Sequence, residues 1–171
     1  MRVVDALELR TRHPSPCLDR LNRLGWAAAL TGVSHGVRIG IRANHPEVLD
    51  QLVERLPPAW KPLGSTSVDS LYSVIEGGLD RRRRGVRRFH LAYSGARQIA
   101  RSFEFCDVLR ELESDFHRCV AEQARRWIFV HAGVVAWGGR AIVIPGATQS
   151  GKTSLLPCCA GLRCVGGLCV P

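Results

Sequence analysis

The hydrophobic positions of this chain follow two periods. Val37, Ile39 and Ile41 alternate with Arg38, Gly40 and Arg42, a period of two that predicts a half-exposed strand. Pro46 then opens a stretch in which Val48, Leu49, Leu52, Val53 and Leu56 share one helical face, and Pro57-Pro58 ends it. The longest stripe is Phe105, Val108, Leu109, Leu112, Phe116 and Val120, which predicts a helix from about Phe105 to Arg126. Its acidic residues (Glu104, Asp107, Glu111, Glu113, Asp115) gather toward the N-terminal half. Arg118, Arg125 and Arg126 lie toward its end, the polarity a helix dipole favours. These carboxylates read as helix electrostatics rather than as catalytic groups.

Weaker patterns fill the remainder. Pro14 and Pro16 mark a loop within 1–17. Leu18, Leu21 and Leu24 predict a short helix through about Leu30, closed by Gly32. Pro62 to Ser67 reads as a linker, and Leu71–Ile75 and Phe89–Tyr93 read as strands of a hairpin or meander. Residues 127–137 form another strand candidate. Gly138-Gly139-Arg140 then supplies a tight turn into Ala141–Pro145, a short apolar run expected to be a buried strand. No internal repeat is evident. The expected class is α/β, with a mixed α+β region over 1–104 and a helix, hairpin and loop over 105–156. An atypical cysteine-rich tail covers 157–171.

The net charge of +9 changes this picture only locally. Six arginines fall among residues 81–88. No aromatic stacking pattern or DNA-binding motif accompanies the run in sequence, so it reads as a solvated loop between strands, and a nucleic-acid partner is not expected. No apolar run approaches the roughly 18 residues of a membrane span, and the N-terminus lacks an apolar secretory core; the expectation is a cytoplasmic protein with no membrane partner. His13, His35, His45, His90 and His117 show no metal-ligand spacing, and Cys17, Cys106 and Cys119 read as buried thiols.

The one motif with specific chemistry is Gly146-Ala147-Thr148-Gln149-Ser150-Gly151-Lys152-Thr153, a complete G-x-x-x-x-G-K-[ST] phosphate-binding loop. Gly146 and Gly151 free the backbone to turn successive N–H groups onto phosphates. Lys152 would reach the β- and γ-phosphates, and the Thr153 hydroxyl would ligate Mg²⁺. The strand before the loop suits the motif; Pro157 falls inside the helix expected after it.

The stretch FVHAGVVAWGGRAIVIPGATQSGKTSLL, residues 129–156, resembles the P-loop core of HPr kinase/phosphorylase-like serine kinases. His131-Ala132-Gly133 matches an element that this family carries on the strand before the hairpin. The resemblance implies the start of a P-loop domain related in fold to ATP-using phosphoenolpyruvate carboxykinases. It implies an ATP-dependent kinase that acts on a protein serine, with Lys152 and His131 near the phosphates and Mg²⁺ on Thr153. A protein phosphoacceptor and a homo-oligomer are the partners it suggests. The family also brings an acidic pair after the P-loop helix, whereas residues 123–171 contain no Asp or Glu. The expected activity is therefore ATP binding with impaired catalysis. A non-catalytic nucleotide- or partner-binding module and a basic nucleic-acid-binding protein remain as alternatives.

Residues 157–171 hold four of the seven cysteines: Cys158, Cys159, Cys164 and Cys169. Zinc binding lacks paired C-x₂₋₄-C knuckles. Disulfides conflict with the reducing cytosol a P-loop enzyme implies. A frameshifted or truncated gene accounts for both the composition break and the missing carboxylates, and is the favoured expectation. Arginine outnumbers lysine 22 to 2, as in GC-rich genes.

Overall fold

The computed structural model describes residues 3–4, 9–11, 18–78, 88–130, 132–137, 140–146 and 163–164. The chain forms two compact units, Met1–Arg125 and Arg126–Pro171. The class is mixed α and β, as expected, with a mixed sheet.

In the first unit the elements run β1 (Val3–Val4), β2 (Arg10–Thr11), α1 (Leu18–Asn22), β3 (Ala28–Ser34), β4 (Val37–Ala43) and α2 (Pro46–Leu52). A 3₁₀ turn at Val53–Arg55 leads to β5 (Lys61–Pro62), β6 (Ser67–Val68), β7 (Ser70–Ile75), β8 (His90–Ser94), β9 (Arg97–Ser102) and α3 (Phe105–Gln123). The main sheet has the order β1-β3-β4-β7-β8-β9, with β5 also on β3. β4 and β7 are parallel, joined through α2; the remaining pairs in this sheet are antiparallel.

Two hairpin–helix units, β3-β4-α2 and β8-β9-α3, flank β7, a repetition that the amino-acid sequence does not display. The first hairpin turns at His35 and Gly36, both at positive φ (49° and 86°). That is the type I′ geometry whose twist suits antiparallel strands. This turn explains why Ala28–Leu30 is strand and not the end of a helix. Ala-Ala-Ala-Leu has good helix propensity, but the seven-residue register of β3 on β4 overrides it, and α1 stops at Asn22. Pro62 and Ser67 likewise belong to short strands, not to a linker.

The sheet carries apolar layers on both faces. Leu30, Ile41 and Tyr72 are cross-strand neighbours on the face covered by the helices. There α3 buries Val108, Leu109, Leu112, Phe116 and Val120, five of the six residues expected in its stripe. Phe116 meets Tyr72 edge-on, with ring centroids 4.6 Å apart. On the opposite face Leu9, Leu18, Leu21, Trp26, Ala29, Val68 and Leu71 form a second cluster. Gly32 is glycine for a packing reason: a Cβ there would sit 2.2 Å from the Trp60 ring.

In the second unit β10 (Ala132–Trp137) and β11 (Arg140–Pro145) pair antiparallel from Ala132↔Pro145 to Trp137↔Arg140, the tight hairpin expected from Gly138-Gly139. A two-residue strand β12 (Arg163–Cys164) pairs with the other edge of β10. β11 is not the buried strand its composition suggests: Ile142 is 48% exposed and Val143 44%. The compact units divide between Arg125 and Arg126, so α3 belongs to the first unit, where it packs on β8 and β9. Among the described residues, no helix is long and apolar enough to cross a membrane.

Candidate functional site

The hairpin of the second unit carries the chain to the phosphate-binding motif. β11 ends at Pro145, and Gly146, the first motif glycine, lies just outside the strand. The last registered pair, Ala132 with Pro145, consists of the chain neighbours of His131 and Gly146. His131 and residues 147–153, including Lys152 and Thr153, lie outside the described residues. So do Cys17, most of the arginine run and, apart from Arg163–Cys164, the tail.

Within the first unit, an open cleft of about 780 Å³ lies where β4 and β7 end, β8 begins and β9 ends. Asn44, at the end of β4, builds its wall by bracketing the backbone of Glu76: Nδ2 donates to the Glu76 carbonyl at 3.0 Å, and Oδ1 accepts from the Glu76 N–H at 2.8 Å. This side-chain amide continues the parallel β4–β7 ladder past the last strand residue. Gly77 closes against the Phe89 carbonyl so tightly that a Cβ would lie 2.4 Å away, and its N–H donates to His90 Nδ1 at 3.2 Å. Ile75 and Leu91 give the cleft an apolar floor, and Arg88, Phe89 and Arg101 line its other side. The Arg101 guanidinium lies 3.7 Å over the Phe89 ring, and Phe103 stacks on Phe89 at 4.1 Å.

A second polar cluster lies under α3. Asp115 is buried, not a solvated helix charge. The Tyr72 hydroxyl donates to its Oδ2 at 3.0 Å, Arg97 donates to Oδ1 at 2.9 Å, and Arg118 also bonds Oδ1. Burial raises the Tyr72 phenol well above its ordinary range, with Cys119 reinforcing the shift; Ser94 and Arg97 pull the other way. Cys119 is buried, whereas Cys106 is exposed, contrary to the expectation of a buried thiol. With two arginines and a tyrosine satisfying it, Asp115 has the signature of a structural carboxylate.

Arg42 also departs from its expected exposure. It is 2% exposed; Nε donates to Ser73 Oγ at 2.8 Å, Nη1 donates to Asn22 Oδ1 at 2.9 Å, and its guanidinium stacks on Trp26 at 4.4 Å. Nη2 has no hydrogen-bond partner. Desolvation lowers its pKa to about 10.

Among the described residues no group of three His, Cys, Asp or Glu could hold a metal ion. Comparison with protein-family models, with curated proteins and with solved structures returns no match to this chain. The cleft residues left little trace in the sequence. Phe89 lines the cleft and Phe103, outside the lining, stacks on it; the two are far apart along the chain, and only the β8–β9 register makes them neighbours. The buried role of Asp115 was hidden among the other acidic residues of α3. Its place on the apolar side, three residues after Leu112 and one before Phe116, was the available signal.

Proposed function

We propose that residues 146–153 bind ATP with Mg²⁺. The observation that carries this reading is the end of β11 at Pro145, which hands Gly146 to the loop as a strand–loop phosphate site requires. The donor set suits the ligand: glycine-freed N–H groups and the Lys152 ammonium match phosphate charge, and the Thr153 hydroxyl is a hard oxygen ligand for Mg²⁺. Phosphoryl transfer to a protein serine, the reaction implied by the resemblance to HPr-type kinases, is the chemistry such a site would serve. His131 is then a group close to the phosphates, and a cytoplasmic location goes with ATP as ligand. Catalysis needs a base and Mg²⁺ ligands beyond Thr153. The absence of any carboxylate from 123–171 favours binding without appreciable turnover by these residues.

Titration with a fluorescent ATP analogue in the presence of Mg²⁺ tests the reading. Lys152→Ala is expected to weaken binding at least tenfold, through loss of the cation that faces the phosphates. Equal affinity of the variant and the wild type would overturn the assignment.

A further inference from the structure

We propose that the cleft at the ends of β4, β7 and β9 binds single-stranded nucleic acid, with phosphates facing Arg88 and Arg101 and a base stacked on Phe103, which lies outside the cleft lining and is joined to it through Phe89. This site is in the first unit and does not depend on the phosphate-binding loop.

Three observations carry it. The first is an aromatic platform. Phe103 is 45% exposed although it is a phenylalanine, and it is held in place by stacking on Phe89 at 4.1 Å. Arg101 lies against Phe89 as well, so the platform is a Phe103–Phe89–Arg101 stack and not a loose surface ring. Exposed aromatic faces beside arginines are what sequence-tolerant stacking of unpaired bases uses. The second is charge. From Gly78 to Arg101 the chain carries eight arginines against one acidic residue, Asp80, and the cleft lining adds a second carboxylate, Glu76. Two of those arginines line the cleft itself, and a polyphosphate backbone is the complementary partner. The third is size and floor. A volume of about 780 Å³ lies within the roughly 300–1,000 Å³ of ligand sites, and Ile75 and Leu91 offer apolar surface to a base. An acidic peptide would satisfy the charge but would leave the exposed aromatic stack without a role.

The test is fluorescence anisotropy of the full chain with labelled 12-nucleotide single-stranded RNA and DNA, the matching duplex, and an oligo-glutamate competitor. Single strands are expected to bind at low salt more tightly than the duplex and to weaken steeply as salt rises. Phe103→Ala is expected to weaken binding roughly tenfold, with Phe103→Trp restoring it. Arg101→Gln also weakens binding, and it serves as the second variant should Phe103→Ala unfold. Lys152→Ala is expected to bind the single strand as the wild type does, which separates this site from the ATP reading. Four results would overturn the proposal. One is no binding at low salt. Another is unchanged affinity in folded Phe103→Ala, which leaves only general charge attraction. The others are competition by oligo-glutamate at equal charge concentration, which makes the surface an acidic-protein site, and loss of binding in Lys152→Ala.

Discussion

The two compact units cover their apolar residues to different extents. In the first, Ile39, Ile41, Val48 and Val74 are fully buried, because the sheet has α2 and α3 on one face and the Leu9–Trp26 cluster on the other. In the second, Val134 and Val135 of the central strand β10 are buried, but Ile128 is 81% exposed, Val130 50%, Ile142 48% and Val143 44%. A β-branched residue is stabilising only where a second layer removes it from water. The first unit supplies that layer from its own chain. Among the described residues of the second, a three-stranded sheet supplies none for the outer side of β11.

This contrast predicts its largest effect in the first unit. Phe116 is fully buried against Tyr72, so Phe116→Ala removes a ring from a closed core and should cost about 3–5 kcal/mol. Val143→Thr keeps the strand propensity of an exposed position and should change stability by no more than about 0.5 kcal/mol. Urea unfolding followed by far-ultraviolet circular dichroism measures both. Comparable losses would mean that β11 is covered in solution, and the comparison would fail.

The same contrast decides which parts of the fold were legible from residues alone. Helix α3 was, because its stripe repeats for five turns and packs in one place. The β10–β11 hairpin was too, because Gly138-Gly139 between apolar runs leaves few alternatives. β3 was not: Ala28–Leu30 has helical propensity, and only pairing with β4 makes it a strand. The exposure of β11 was illegible as well, because an apolar run says that a residue gains by burial and not that a layer exists to bury it. The cleft depends on register. Asn44 reaches Glu76, and Phe89 reaches Phe103, through strand pairings that no local pattern encodes.

A smaller effect sharpens the contrast by titration. Burial holds the Tyr72 proton at pH values where the unfolded chain gives it up. Its contribution to stability is therefore complete below about pH 10, the unfolded value, and declines as pH rises beyond it. At pH 8, Tyr72→Phe should cost about 1.5–3 kcal/mol through loss of the hydrogen bond to Asp115. At pH 11 that gap between variant and wild type should narrow. Urea midpoints of both proteins at the two pH values measure it, and a gap that stays constant would show that the phenol is not shielded beneath α3.

Another small effect is expected at Arg42, the most deeply buried charge among the described residues. Arg42 has two hydrogen bonds and an aromatic face but one unpartnered nitrogen, and desolvation lowers its pKa to about 10. Holding that charge costs roughly 3 kcal/mol, which the bonds to Ser73 and Asn22 and the Trp26 stack offset. Arg42→Met removes the cost and the bonds together, and a linear side chain keeps the space filled; at neutral pH the net change should stay within about 1 kcal/mol. Thermal midpoints of Arg42→Met at neutral pH decide the matter. A loss as large as that of Phe116→Ala would mean that Arg42 has an anionic partner whose removal leaves a buried charge exposed to an apolar core, and the guanidinium would then count as part of an ion pair rather than as a tolerated cost.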